Sequence, residues 1–388
     1  MARSYKILAL IGDGIAEEIV TEAIKILRTS EETFGFNLEI IGPYPFGAKY
    51  WFDSGRKTAW HPEITRDLIY EADGIFKGPV GLPGSLEDVK LNYEVGFLPV
   101  ALRSDLDCYA NIRPCRLREG VKGVLAGKKP GDIDFVIIRE NTEQCLAEAT
   151  HFGGISDISG YFKRAGKIEL AADVFIQTTK GCERVIKYAF ELARKRRGAP
   201  IDGKKRVTCA CKWGILRGDS LFKRTFDEVA KSYPDVEADS AWIDGWTYWA
   251  VMRPEFYNVV VTPNQYGDII SDLSGALQGS MGLAAALNAG DQHAFAEATH
   301  GSAPDIARKN IANPTSIILS MGLLLNWIGE KHDDSRLKSA GAVIDKAVDV
   351  LLSEGKVKTP DLGGSNNTKQ VGDAIAEKIK ELYIKNKA

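Results

Sequence analysis

From residue 4 onward, short apolar runs alternate with longer stretches in which apolar positions recur every three to four residues. The first kind reads as buried strands: YKILALIG, NLEIIG, DGIFKGPV, DCYANIRP, DFVIIREN, KRVTCACK and NVVVTP. The second reads as amphipathic helices: IAEEIVTEAIKIL, HPEITRDLIYEA, GCERVIKYAFELARKRR, LFKRTFDEVAKSY, DIISDLSGAL and three long C-terminal segments. Alternation of this sort predicts an α/β architecture with crossover helices. The last hundred residues read as mostly helical. Residues 150–175, rich in glycine and short β-like pieces, read as an excursion or arm.

Composition narrows the class. A chain of 388 residues accommodates two domains, or one large α/β body with a second lobe. A formal net charge of −2 gives no global bias toward nucleic acid. No apolar run reaches membrane-spanning length. The apolar core of residues 1–12 is too short for a secretory signal and fits a first strand. Six cysteines without regular spacing fit reduced thiols and a cytoplasmic setting. Cys209 and Cys211 alternate in a strand-like run, which assigns them to packing. The basic run ARKRRGAPIDGKKR, at a helix end and turn, reads as solvated surface.

Three groups of residues bear chemistry. TPNQYGDIISDLSG places Asp268 and Asp272 four apart on one face of a helix that follows a buried strand, with no Lys or Arg nearby in sequence. Two readings fit: helix N-terminal acids favoured by the macrodipole, or oxygen ligands for Mg²⁺ or Mn²⁺, with Asp244 of WIDGW as a third. Arg103 and Arg113 lie ten apart on either side of a helix-to-strand junction, and Arg139 at the end of a buried-looking strand, where a guanidinium is costly unless it meets an anion. Together they suit a substrate with two carboxylates; singly, each also fits an internal ion pair. In ATHGSAPDIARKNIANPTS, a Gly-Ser-Ala-Pro turn lies between His300 and Asp305, a carboxylate suited to ribose hydroxyls and hostile to a 2′-phosphate. IGDGIAEE mimics a dinucleotide fingerprint, but Glu17 and Glu18 stand where the third glycine belongs and would repel a pyrophosphate.

In this order, IGDGIAEEI, LRSDLDCYANIRP, DFVIIRENTE, CKWGILRGDSLF, NQYGDIISDLSG, HGSAPDIA…IANP and DLGGSNNT resemble the β-decarboxylating dehydrogenases, a family with isopropylmalate, isocitrate, homoisocitrate, tartrate and D-malate members. The resemblance covers nearly the whole chain. It implies a two-domain α/β subunit, with residues 1–108 plus 279–388 in one domain and 109–278 in the other. The second domain would carry the contacts of a homodimer and an arm near 150–175. The active site would lie in the cleft, shared across the dimer. Asp268 and Asp272 match the family's metal aspartates, and Asp244 the one supplied by the neighbouring subunit. Arg103, Arg113 and Arg139 match the arginines that hold a malate-like dicarboxylate, and Lys212 matches the catalytic lysine. His300, Gly301, Ser302, Ala303, Pro304, Asp305 and Asn313 fall on the NAD-binding loop.

Departures from the family pattern predict a remodelled pocket. Leu146 stands where a tyrosine usually protonates the product carbon, which leaves that step to water or to a group such as Tyr248. Trp213 and Gly214 replace an Ala-Asn pair, and Phe97 and Pro99 replace the Ser and Asn of isocitrate enzymes. With the aromatic WIDGWTYW, the expectation is a malate-type 2-hydroxy acid with a bulky or apolar C3 substituent, contacted by Phe97, Leu146, Trp213 and Trp246. An oxidation without efficient decarboxylation, and a non-catalytic family member, are the alternatives.

Overall fold

The computed structural model describes residues 3–82, 98–144 and 175–387. Ten strands form one sheet in the order β2-β1-β3-β10-β9-β4-β5-β8-β6-β7. They are β1 (Ser4–Leu10), β2 (Asn37–Tyr44), β3 (Gly74–Lys77), β4 (Ala110–Arg116), β5 (Asp134–Glu140), β6 (Arg206–Cys211), β7 (Glu237–Trp242), β8 (Val259–Thr262), β9 (Ala285–Ala289) and β10 (Ala294–Ala298). Strands β2, β1, β3 and β10 pair in parallel, as do β5, β8, β6 and β7. Between these two wings, β10-β9, β9-β4 and β4-β5 are antiparallel.

Helices cover both faces. In chain order they are α1 (Ala16–Phe34), α2 (Ala48–Asp53), α3 (Arg66–Glu71), α4 (98–105), α5 (Thr179–Lys195), α6 (Arg217–Ala230), α7 (Ile243–Met252), α8 (Asn264–Leu277), α9 (Thr315–Lys331), α10 (Ser335–Glu354) and α11 (Thr368–Lys387). Strands buried on both faces lose the polar alternation of a half-exposed strand, so β8 reads VVVT and every residue of it is buried. The largest core cluster runs from β1 and α1 through α9 and α10 to α5, α6 and β6. One smaller cluster, around Phe46, Trp51 and Phe295, fills the other face of the first wing; another, around Phe135, Trp246 and Tyr257, fills that of the second. Among the described residues no helix is long and apolar enough to cross a membrane. The five described cysteines are free and buried.

The expected boundary between residues 1–108 plus 279–388 and residues 109–278 runs through this sheet. Ala110, Asn111 and Ile112 of β4 pair with Ala289, Asn288 and Leu287 of β9. Ion pairs span the same division: Arg116 to Asp349 at 2.6 Å and Arg118 to Asp345 at 2.6 Å. The arm expected near 150–175 lies outside the described residues, apart from the exposed Phe175 at its end.

Several elements differ from the pattern-based expectation. HPEITRDLIYEA is helical only from Arg66, because the Thr65 hydroxyl accepts the Leu68 N–H at 3.2 Å and caps the helix there. The helix after NVVVTP starts at Asn264, directly behind Pro263, so Gly267 lies inside its first turn. Strands β9 and β10, AALNA and AFAEA, are alanine-rich and carry little strand signal, although the sheet buries them fully. The basic run is not free surface. Arg194 pairs with Asp235, Lys195 with Glu330 and Arg196 with Asp134. Arg206 is buried between Asp202 (2.6 Å) and Glu237 (2.7 Å), its guanidinium 3.9 Å from the Phe256 ring centroid.

Trp246 is a further correction. It is 0% exposed and packs on Phe135 and Tyr257, with ring centroids 6.1 and 5.5 Å away, so it belongs to the core rather than to a substrate pocket. Trp246→Ala is expected to cost about 3–5 kcal/mol of stability through the cavity it leaves. Urea unfolding measures this, and Trp246→Phe should leave the substrate KM unchanged.

Candidate active site

In each parallel wing, the functional side chains gather at the carboxyl ends of the strands, where open α/β sheets bind their ligands. Arg139 is the penultimate residue of β5, Lys212 follows β6 and Asp244 lies just beyond β7. The loop beginning at His300 follows β10.

Antiparallel register brings two arginines together. Asn111 of β4 sits opposite Arg139 of β5, and Arg113 opposite Ile137. Side chains two apart on a strand share a face, so Arg113 and Arg139 are diagonal neighbours. Both reach across to α8. Arg139 donates from Nη1 to the Asp268 carboxylate, and from Nε and Nη2 to Asn264 Oδ1 at 3.0 and 2.7 Å. Arg113 donates to the Ser271 hydroxyl and to Asn111 Oδ1 (3.1 Å), with Nη1 3.5 Å from Asp268 Oδ1. Gly267 makes this approach possible, since a Cβ there would overlap Cγ of Arg139. The carboxylate pair without a neighbouring cation in sequence therefore has two in space.

Arg103, from α4, completes the cluster. Its Nη2 donates to Glu297 Oε1 at 3.1 Å, and its buried Nε has no partner among the described residues. Glu297 also pairs with Lys77 at 2.5 Å and accepts from Asn288 at 2.9 Å. Burial opposes its ionisation, yet Lys77, Arg103 and these hydrogen bonds hold its carboxylate well below the usual range. Arg139 has less compensation. Burial, then the charges of Arg103 and Arg113, bring its pKa down to about 9 against the pull of Asp268. Burial also lowers that of Arg113. Arg103, Arg139, Asn264 and Asp268 line a cavity of about 260 Å³, with Val100 and Ile269 among its apolar walls.

Asp268 is 60% exposed in spite of its arginine partners. Asp272, one turn on, is exposed as a residue, although neighbouring groups partly desolvate its carboxyl. Burial raises its carboxyl, Arg113 pulls against that, and the Asp268 charge adds to it. Two carboxylates on one helix face, one of them destabilised as an anion, are a donor set that suits a hard divalent cation. Asp244 is not beside them, and among the described residues no three His, Cys, Asp or Glu side chains are gathered for a metal. Asp244 instead pairs with Lys212 at 2.7 Å, which holds its carboxyl below the usual range. Lys212 Nζ also lies 4.8 Å from the Trp242 ring centroid, and its backbone N–H is anchored on buried Asp219 at 2.7 Å. The chain thus carries two separate groups of candidate residues: an arginine–aspartate face, and a Lys212–Asp244 pair on an exposed aromatic surface that includes Trp242, Tyr248 and Trp249.

His300, Gly301, Ala303 and Asn313 line a second cavity, of about 420 Å³, together with Ile15, Met281, Ile306, Ile311 and Asp361. Its apolar walls and few polar groups suit a flat heterocycle. Ser302 is directed elsewhere: its hydroxyl donates to the Gly81 carbonyl and its own carbonyl accepts the Ile15 N–H. Pro304 and Asp305 are exposed beside this cavity, not in its wall. Phe97 and Leu146 lie outside the described residues. Trp213 packs edge-on against Trp242 at 6.1 Å.

The sequence model of the isocitrate/isopropylmalate dehydrogenases matches residues 6–375. The chain belongs to that family. It is 36% identical over 97% of its length to the 3-isopropylmalate/3-methylmalate dehydrogenase of Methanocaldococcus jannaschii, covering 99% of that protein. To the decarboxylating D-malate dehydrogenase of Escherichia coli it is 34% identical, over 98% of this chain and 99% of that one. The crystal structure of isocitrate dehydrogenase from Methylococcus capsulatus superposes with a TM-score of 0.80 at 34% identity, covering 97% of this chain and 99% of the other. The protein is an enzyme of the decarboxylating hydroxy-acid dehydrogenases.

Within this family setting, some site residues have little sequence signal. Ile15 and Met281 are ordinary apolar positions. Asp361 is flagged only by DLGGSNNT, yet it accepts from Ser280 (2.6 Å), Asn313 (3.0 Å) and Thr359 (2.5 Å) at the cavity wall. Arg308 and Lys309 follow Asp305 closely, are exposed, and form no ion pair among the described residues. Two exposed cations therefore stand close to Asp305 in sequence and would offset part of its repulsion of a 2′-phosphate.

A depressed guanidinium pKa has a testable sign. Arg139 is charged, and able to hold a carboxylate, below about 9, and loses that charge as the pH rises through that value. Affinity for an unreactive dicarboxylate such as succinate should be level from neutral pH to just below that point. It should then fall on the order of tenfold or more, the worth of a charge-assisted hydrogen bond. Titration calorimetry measures this. Arg139→Gln should bind weakly with no such break, and undiminished wild-type affinity well above that point would contradict the assignment.

Proposed function

We propose that the enzyme oxidises a malate-type 2-hydroxy acid with a bulky or apolar C3 substituent, with NAD and Mg²⁺ or Mn²⁺, and releases the carboxylate on C3 as CO₂. The observation that carries this reading is the cluster of Arg103, Arg113 and Arg139, held close together in spite of mutual repulsion, of which Arg103 and Arg139 line a small cavity together with Asp268. A dianion would relieve that repulsion. Val100 and Ile269 in the wall favour an apolar substituent, and Phe97 and Leu146 are assigned to the same role from sequence.

In this reading Arg103, Arg113 and Arg139 orient the two carboxylates. Asp268 and Asp272 hold the divalent cation, and Asp244 of the partner subunit completes its ligands. The cation held there would supply Lewis-acid polarisation of the C2 hydroxyl and its neighbouring carboxylate, and the dinucleotide would supply the hydride acceptor. Lys212 of the partner subunit takes the hydroxyl proton; its pairing with Asp244 keeps the amine oriented. After CO₂ departs, the product carbon takes a proton from water or from Tyr248. The exposed aromatic surface of α7, with Ile215 and Leu216, supports a homodimer that buries it. His300, Gly301, Ala303 and Asn313 contact the adenosine, and Asp305 accepts from its ribose. Residues 1–108 plus 279–388 and residues 109–278 form the two domains on either side of the cleft.

A turnover assay on a panel of 3-substituted malates tests the reading. NAD with Mn²⁺ should support stoichiometric NADH and CO₂ release, and EDTA should abolish it. Asp268→Asn should reduce kcat by about a thousandfold, several kcal/mol of lost Lewis-acid stabilisation. NAD should exceed NADP about tenfold in kcat/KM, because Asp305 repels a 2′-phosphate while exposed Arg308 and Lys309 offset part of that repulsion, and Asp305→Ala should narrow that gap. Full turnover in EDTA would contradict the metal role, and equal use of NADP the cofactor role. NADH formed without CO₂ would favour the alternative that Leu146 leaves decarboxylation uncoupled.

A further inference from the structure

The acidic motif IGDGIAEE fails as a phosphate cradle, yet it touches the cofactor loop at two points. Ile15 N–H donates to the Ser302 carbonyl at 2.9 Å, and Gly14, at φ +60°, lies so close that a Cβ would overlap that carbonyl. One turn on, the Glu18 carboxylate accepts the backbone N–H of Asn310 at 2.6 Å and of Arg308 at 3.3 Å. Both of those residues are left-handed, at φ +54° and +63°, a conformation that non-glycine side chains seldom adopt without support. Between and just beyond these two attachments come Ile306, Ile311 and Asn313, all in the wall of the 420 Å³ cavity. On its far side the same turn is held by α11: Thr368 N–H donates to the Asn310 carbonyl at 3.0 Å, and the Thr368 hydroxyl to that of Ala312 at 2.6 Å.

We propose that Glu18 is a positioning residue for cofactor binding: its carboxylate stabilises the left-handed turn at Arg308 and Asn310 and so fixes the loop that forms the cofactor cavity. The inference rests on the assignment of this cavity to the dinucleotide. Glu18 touches neither substrate nor cofactor in this account. Its loss therefore acts on dinucleotide affinity and leaves the arginine–aspartate face intact.

The test is NADH binding to the full-length protein, followed by fluorescence, alongside succinate binding and steady-state kinetics. Glu18→Ala should weaken NADH about tenfold, the worth of one charge-assisted hydrogen bond. KM for the dinucleotide should rise to match, with kcat and succinate affinity within about twofold of wild type. Glu18→Gln, which keeps one acceptor, should fall between. The decisive variant combines Glu18→Ala with Arg308→Gly and Asn310→Gly. Glycine adopts the left-handed conformation without an anchor, so NADH affinity should return toward that of Arg308→Gly/Asn310→Gly with Glu18 intact. Unchanged NADH affinity in Glu18→Ala overturns the inference, and so does a triple variant no tighter than Glu18→Ala, which would trace the loss to α1 itself. Wild-type protein that binds no dinucleotide overturns the cofactor assignment as well, a result separable from the other two.

Discussion

Three guanidiniums in one small volume, with too little negative charge to balance them, are the constraint on which the site depends. Arg113 and Arg139 come from adjacent antiparallel strands whose register admits no other placement. Asp268 meets both of them, while Glu297 is already engaged by Lys77 as well as Arg103. Burial and mutual repulsion leave Arg139 unusually willing to lose its proton. Such an arrangement is unfavourable to the isolated chain and would be relieved by an incoming dianion, which is the electrostatic basis of the proposed substrate role.

The sheet explains why the chemistry lies where it does. Two parallel wings direct their carboxyl ends to the functional loops, and the antiparallel centre joins them. Small residues permit the close approaches: Gly267 under Arg139, and Gly14 against Ser302. On the opposite side of the sheet, Arg116 and Arg118 meet Asp345 and Asp349, so the two halves of the chain are tied at the back of the structure.

The helices and parallel strands were legible in the sequence because long periodic segments and β-branched runs carry strong signals. Strands β9 and β10 were not, since alanine satisfies a buried strand and a helix alike. The charged residues of the site were identifiable by type and motif. Their partners were not: Arg139 reaches Asp268 across 129 positions of chain, and Arg194 reaches Asp235 across 41. The aromatic residues separated only in three dimensions. Trp246 fills a core while Tyr248 and Trp249, two and three positions on, face outward, because a short helix at the sheet edge buries one side only. The partners of Glu18 were hidden for the same reason, since the N–H groups of Arg308 and Asn310 lie 290 and 292 positions away. A local pattern showed an acid where a phosphate loop needs none, and only the fold showed the backbone N–H groups it meets.

The central claim is that the arginine–aspartate face and the Lys212–Asp244 pair act together although one chain does not join them. Subunit complementation tests this most directly. Lys212→Ala and Arg113→Ala proteins should each be inactive as pure homodimers. Mixed under conditions in which subunit exchange is demonstrated, they should form heterodimers with one intact site and recover activity, up to about a quarter of wild type from random pairing. Exchange without any recovery would contradict the claim.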